Sequence, residues 1–326
     1  MSGARLRSID ERLGLATAVA VLVSLAQAGL AAPVAADAPR EAGGAPTVEV
    51  TFPGLSSGPL RLARVSDLDE GVACRSSAVV ITKETVTAAV ENAPQRLREQ
   101  FRKNAFFVVE QLAAREVLLR EARAWAAGEK RAENPGDDDK LLQSYLAGIA
   151  RGATVTEEEL KRFYEENQDI VGGVPFADIR GDLELYLLEQ KGRAAVDAHI
   201  AGIGGRERVE VDRGWSERHY RLAMDNPVDR ARRSGRPTLV DFGAKGCAPC
   251  DMMTPILASL REKYDGKANV LFVHVNDEPA LAARYGIGTI PVQVFFDDAG
   301  KEVLRHEGFY PQAEIERQLA AIGVAR

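Results

Sequence analysis

The sequence predicts two units in series: a mainly helical N-terminal domain, then an α/β domain with a central sheet flanked by helices. Three observations carry this. Over residues 94–203 apolar side chains recur at helical spacing. From Trp215 onward short β-branched runs alternate with helical ones. Residues 238–250, TLVDFGAKGCAPC, join an interior-type strand to a Cys-x-x-Cys at the start of a helix.

A length of 326 residues leaves room for about two domains. A hydrophobic content of 45% is enough for a sizeable core, and a net charge of −6 gives no basic excess for a phosphate backbone, so nucleic acid is excluded as an expected partner. Arg5, Arg7 and Arg12 precede an uncharged apolar run over residues 13–32, with Ala26-Gln27-Ala28 as a small-residue cleavage site. This is the pattern of a secretory signal peptide; a run of that length also suits an uncleaved membrane anchor. Both readings place the body of the protein outside the cytoplasm, periplasmic or otherwise exported, where disulfides persist. The three cysteines make one pair and one remainder.

Residues 33–46, rich in Ala, Pro and Gly, read as a tether, and 33–64 as linker or irregular chain. Within it, 47–52 alternates weakly like a strand. Residues 71–81 read as a hairpin with Arg75-Ser76-Ser77 near its turn, and Cys74 in its first half is expected to pack. Thr82 caps a helix that Glu84 charges in its first turn. A longer helix is expected over 94–129, with Leu97, Phe101, Val108, Leu112, Leu119 and Trp125 near helical period, ended by Glu133-Asn134-Pro135-Gly136. Asp137, Asp138 and Asp139 favour the next helix start through its dipole rather than forming a metal site. Thr156 and Glu159 form a capping box, and Pro175 opens a last helix to about residue 203. Gly204-Gly205 and the charged stretch to Arg213 mark the boundary, with Val209 and Val211 in a strand of either domain. The units are thus 65–208 and 215–326.

In the second unit the expected order is helix 226–234, strand 238–242, the CAPC helix to about 264, strand 270–275, helix 279–285, strand 292–296, a turn at Asp297-Asp298-Ala299-Gly300, strand 302–306 and helix 312–322. Two thiols three residues apart at a helix start can meet. A lone Cys-x-x-Cys is also half of a zinc site, but no second one follows and no His stands at ligand spacing, so no metal is expected. Asp241 is a charge inside an apolar strand and requires a partner. His199, His219, His274 and His306 are expected to be packed or superficial rather than catalytic.

The order strand, CxPC helix, strand, helix, Ile-Pro-strand, hairpin, helix resembles thioredoxin over about residues 215–326. Asp241 matches the family's buried aspartate, Pro255 the proline that kinks the active-site helix, Ile290-Pro291 the cis-proline loop, and Gly308 a glycine near the substrate groove. The resemblance implies an α/β thioredoxin-like domain with a central mixed sheet and a redox-active Cys247–Cys250 disulfide in place of any cofactor. Cys247 would be the nucleophile, favoured as thiolate at the helix N-terminus below the free value of about 8.5. Cys250 would resolve the mixed disulfide, Asp241 would take its proton, and Ile290, Pro291 and Gly246 would bind substrate. Departures are Gly246 and Gly243, where the family usually has tryptophans, and Phe272, where a lysine often lies near the aspartate.

The first domain, through GVACRSSAVVITKETV and TVTEEELKRFYEEN, weakly resembles the N-terminal chaperone domain of SurA and parvulin-type periplasmic folding factors. The short gap between Asn167 and Pro175 leaves no room for their prolyl isomerase domain, so that activity is not expected. The implied protein is an exported protein-disulfide oxidoreductase with a helical client-binding domain, acting on protein thiols and disulfides and served by a redox partner. The alternative is a periplasmic holdase using the thioredoxin fold as scaffold.

Overall fold

The computed structural model describes residues 45–77, 79–128, 137–167 and 173–324. The signal or anchor segment, most of the tether and the break at 133–136 lie outside these. The first unit comprises α1 (Val48–Thr51), β1 (Arg64–Ser66), β2 (Val72–Arg75), β3 (Val80–Thr82), α2 (Lys83–Asn92), α3 (Gln95–Lys103), α4 (Ala105–Gly128), α5 (Asp138–Arg151), α6 (Glu157–Glu166), α7 (Phe176–Ala201), α8 (Ile203–Arg206), β4 (Glu210–Asp212) and α9 (Arg213–Ala223). The second holds α10 (Pro227–Arg232), β5 (Thr238–Gly243), α11 (Ala248–Lys263), β6 (Asn269–His274), α12 (Pro279–Arg284), β7 (Val292–Phe296), β8 (Glu302–Glu307) and α13 (Gln312–Ala321). Among the described residues no helix is long and apolar enough to cross a membrane.

The first unit is helical around a small sheet of order β1-β4-β2-β3. β2 and β3 form the hairpin, and β4 returns from far along the chain to pair parallel with β1. Val209 and Val211 therefore belong to the first core, both fully buried. Cys74 is buried there too, and burial pushes its thiol up to about 12, so it stays protonated and inert. Trp215, where the sequence changes character, also packs in this core, tilted against Phe106.

Three elements differ from the sequence reading. Residues 47–52 are not a strand: Thr47 makes one isolated bridge with Arg64, and the chain then closes a helical turn through Thr51 N–H to Thr47 O and Phe52 N–H to Val48 O. That turn buries Val48 and Phe52. The long helix is two, broken at Asn104, whose side-chain Nδ2 donates to Gln100 O at 3.0 Å and ends α3. Pro175 is the cap before α7 rather than its first residue. The capping box at Thr156 forms as expected.

The second unit is a four-stranded mixed sheet, order β6-β5-β7-β8, with β5 parallel to β6 and antiparallel to β7. All of β5 is buried, which suits its β-branched and aromatic content. Side chains alternate between two apolar layers. Val240 and Phe242 pack towards α12, while Leu239 packs with Met253, Leu257 and Leu260 of α11. By that alternation Asp241 and Gly243 face α11, where the cysteines lie. Arg284 joins the two units: its guanidinium donates to Gly54 O, Ala223 O and Asp229 Oδ2 at 3.0, 2.8 and 3.1 Å.

Candidate active site

The loop after β5 turns at Gly246, with φ of 82°, a conformation that disfavours any side chain. It delivers Cys247 as the N-cap of α11, where Cys250 N–H approaches its Sγ at 3.4 Å. Unpaired N–H groups at a helix start favour negative charge on an atom placed there. Cys247 and Cys250 are disulfide-bonded, their Cα atoms 5.2 Å apart. Cys247 is partly exposed while Cys250 is buried, so only the first sulfur presents itself to a partner. Pro255 lies inside α11.

Opposite the pair, the Ile290-Pro291 peptide is cis, and Cys247 Sγ lies 4.0 Å from Ile290 O. Gly308, at φ of 93°, donates its N–H to Pro291 O at 2.8 Å and ties the β8 end to this loop. The structure thus brings Cys247, Cys250, Ile290 and Pro291 together. Gly246 contributes its backbone turn and leaves open space, since a Cβ there would meet nothing within 4 Å.

Behind the pair, Asp241 is fully buried. Its Oδ1 accepts a 2.7 Å bond from Gln293 Nε2, and no hydrogen bond reaches Oδ2 among the described residues. Desolvation raises its pKa to about 6, only partly opposed by the Gln293 bond. Phe272 stands beside Asp241 in register on β6. Its ring fills the space over Gly243: a Cβ there would lie 3.0 Å from Phe272 Cε2, 3.3 Å from Cys250 Cβ and 3.5 Å from its Sγ. An aromatic ring thus stands beside the aspartate in the sheet, and the cation that acts on it is Arg261 of α11, whose charge favours the ionised form.

Sequence reasoning passed over Gln293, although it carried the signal that marked Asp241, a polar residue inside an otherwise apolar central strand. It also set His274 aside. That ring lies near the site, accepting the Lys245 N–H at Nε2 over 3.2 Å and so fixing the loop before the cysteines. His306 stacks on Tyr310, His199 bonds Glu121 and Tyr145, and His219 packs on Trp215.

A bonded cysteine pair at a helix start, a cis-proline loop facing it and a buried carboxylate beneath define a domain built for thiol–disulfide exchange. A family model described as a thioredoxin-like domain matches residues 224–323. A thioredoxin of Staphylococcus epidermidis is 39% identical over 95 residues, covering 29% of this chain and 89% of that protein. One from Staphylococcus saprophyticus is 42% identical over 91 residues, covering 28% of this chain and 86% of its own. A solved mutant thioredoxin from Halobacterium salinarum is 28% identical, covering 30% of this chain and 84% of that one with a TM-score of 0.28. Through this C-terminal region the chain belongs to the thioredoxin family.

Proposed function

We propose that the protein is an exported protein-disulfide oxidoreductase in which the helical domain holds a protein client and the Cys247–Cys250 pair exchanges with it. The observation that carries the reading is the bonded pair at the α11 N-terminus, with its partly exposed sulfur beside the cis Ile290-Pro291 loop and its inner cysteine buried beside Gly243, two residues after Asp241 on β5. Export is supported by the arginines followed by the apolar run over residues 13–32, which suits a signal peptide or an inner-membrane anchor ahead of a periplasmic body.

In the reduced form Cys247 thiolate attacks one sulfur of a client disulfide. A Cys247–client bond forms, and the other client sulfur leaves as thiolate and takes a proton from water. Cys250 then loses its proton to the Asp241 carboxylate and attacks Cys247 Sγ. The intramolecular disulfide forms, the client's second sulfur departs as thiolate and takes up the proton that Asp241 releases, and two electrons have moved from protein to client. A dithiol partner restores the pair by the reverse exchange; with an oxidised pair and a dithiol client the same steps run backwards.

Insulin reduction in the presence of dithiothreitol tests this. Wild-type protein is expected to accelerate it and Cys247→Ser to lose the acceleration, while Cys250→Ser accumulates a mixed disulfide. Equal rates for wild type and Cys247→Ser would overturn the reading.

A further inference from the structure

β6 is an edge strand of the second sheet, hydrogen-bonded on one side to β5. Asn269 N–H donates to Pro237 O and Val275 N–H to Gly243 O. In a parallel ladder backbone groups point alternately to the two sides, so the odd-numbered residues face β5 and Val270, Phe272 and His274 face outward. Two of these outward carbonyls are occupied: Val270 O accepts from Arg261 Nε at 3.0 Å, and His274 O accepts from Asp277 and Glu278 N–H. At the centre, no hydrogen bond from the described residues reaches the outward N–H and C=O of Phe272. The residue is 41% exposed.

This edge opens on a cleft of about 450 Å³ between the two units. Leu271, Phe272, Val273 and His274 all line it. Consecutive strand residues point to opposite faces, so a cleft touched by four in a row runs along the strand edge. The facing wall is α3 of the helical unit, through Arg96, Glu99, Gln100 and Lys103. Gln100 anchors that wall, donating to Asp277 O at 2.6 Å and accepting from Ala280 N–H at 3.0 Å. Three ion pairs form among the charges in the cleft: Arg96 lies 3.9 Å from Asp277, Lys103 3.7 Å from Glu99 and Arg230 2.6 Å from Asp225. The acid outside these pairs, Glu278, accepts from Gln100 Nε2 at 2.7 Å, and burial raises its pKa towards the neutral form, so little net charge is left to select a charged ligand.

We infer that this cleft receives an extended, uncharged polypeptide segment, which adds to β6 as a further strand. Natural proteins blunt an edge strand with charges, proline or a covering element, and β6, reading NVLFVH, carries no Lys, Arg, Asp, Glu or Pro. Main-chain bonds to Phe272 would supply affinity without reading sequence, which suits a stretch of unfolded client. Phe272 links the cleft to the redox centre, since its ring also lies against Gly243 beside Cys250. The inference deepens the proposed role in handling protein clients and rests on it for the identity of the occupant.

The test uses the oxidised full-length protein and a short fluorescein-labelled peptide of alternating threonine and valine, which has no thiol. A matched peptide N-methylated on alternate residues has lost the donors needed on one edge. The expected result is saturable binding by anisotropy, weakened about tenfold or more by N-methylation and by Phe272→Pro, with slowed amide exchange at residues 270, 272 and 274. Proline is tolerated at an outward-facing edge position, and thermal unfolding checks that the variant folds. If it does not, the two peptides and the exchange pattern decide. Equal binding of both peptides, protection confined to the Ile290-Pro291 loop, or no binding at about 1 mM would overturn the inference. So would protection of these amides by self-association, which would assign the edge to a second copy of the chain. Failure here with intact insulin reduction would leave the exchange reading standing, and the converse result would leave the cleft.

Discussion

Glu110 on α4 and Asp241 on β5 are both carboxylates shut away from water, and burial pushes both upward, to about 7 and about 6. Their surroundings differ in what is fixed around them. Two donors converge on Glu110 Oε1, the Ser56 hydroxyl and Leu60 N–H at 2.9 Å. Gly58 lets the loop come that close, since a Cβ there would lie 2.9 Å from the same oxygen. The neighbouring residues of this loop reach the second unit: Ser57 Oγ donates to Ala283 O at 2.6 Å and Gly54 O accepts from Arg284. Asp241 has one donor, on Oδ1, and an Oδ2 with no partner among the described residues, on the cysteine side of the sheet. Glu110 ties two points of a loop to one oxygen, whereas Asp241 has a buried oxygen that meets no donor among the described residues, the atom that in the proposed exchange would receive the Cys250 proton.

The largest expected effect breaks the pin. Glu110→Ala leaves two buried donors without an acceptor and opens a cavity, and should lower unfolding free energy by about 3 kcal/mol in urea titrations. Exchange by the remaining folded protein should stay within about twofold of wild type, because Glu110 lies in the other unit. Next comes Asp241→Asn, which keeps the shape and the Gln293 bond but cannot accept the Cys250 proton; insulin reduction at pH 7 should slow about 100-fold. Glu110→Gln should leave that rate unchanged. If both amide variants slowed exchange alike, the distinction between pin and proton acceptor would fail.

A smaller effect appears in pH dependence. A carboxyl whose pKa is raised by folding holds its proton more tightly folded than unfolded, so stability is greatest when the group is protonated and falls as pH rises. For Asp241 the loss runs from its ordinary 3.8 to about 6, and for Glu110 from 4.5 to about 7. Urea stability measured between these limits should decline across both windows. Asp241→Asn should remove the lower part of the decline and Glu110→Gln the upper, each recovering on the order of 3 kcal/mol above pH 7. A flat profile in the wild type would show that neither acid is desolvated as the geometry implies.

The same contrast explains how much was legible in the sequence. β5, the CAPC turn, the Ile290-Pro291 loop and the terminal hairpin are declared by local chemistry: a β-branched run, a cysteine spacing, a proline, and an Asp-Asp-Ala-Gly turn. Asp241 stood out because a strand has few places for a charge. Glu110 did not stand out, since one acid in a helix reads as a solvent-facing position until tertiary packing covers it. Gln293 showed the same signal as Asp241, yet only the β5–β7 register reveals that the two side chains meet. The break at Asn104 has neither glycine nor proline to announce it. Asn104 caps the turn through its own side chain on Gln100 O, and Gln100 is at the same time bound to Asp277 O and Ala280 N–H of the second unit. The return of β4 to β1 is likewise a closure over most of the first unit, beyond any local pattern.

The smallest expected effect sharpens the contrast at Asp241 itself. Phe272 borders this carboxyl in register and supplies an apolar ring, and burial raises the carboxyl's pKa against the partial opposition of the Gln293 bond and the Arg261 charge. Phe272→Lys would bring a cation towards the carboxylate, and the long side chain can carry its ammonium to the exposed edge of the ring's position. An opposite charge favours the ionised acid, so the pH–rate profile of exchange should move to lower pH, with a gain of a few-fold near pH 5.5, where wild-type Asp241 is largely protonated. The gain should vanish above pH 7, where the acid is ionised in both proteins. Folding stability should rise slightly at neutral pH for the same reason, because a less raised pKa means a smaller loss on ionisation. A profile that moves upward instead, or a gain that persists at high pH, would mean that Phe272 acts by covering Cys250 rather than by setting the medium around Asp241.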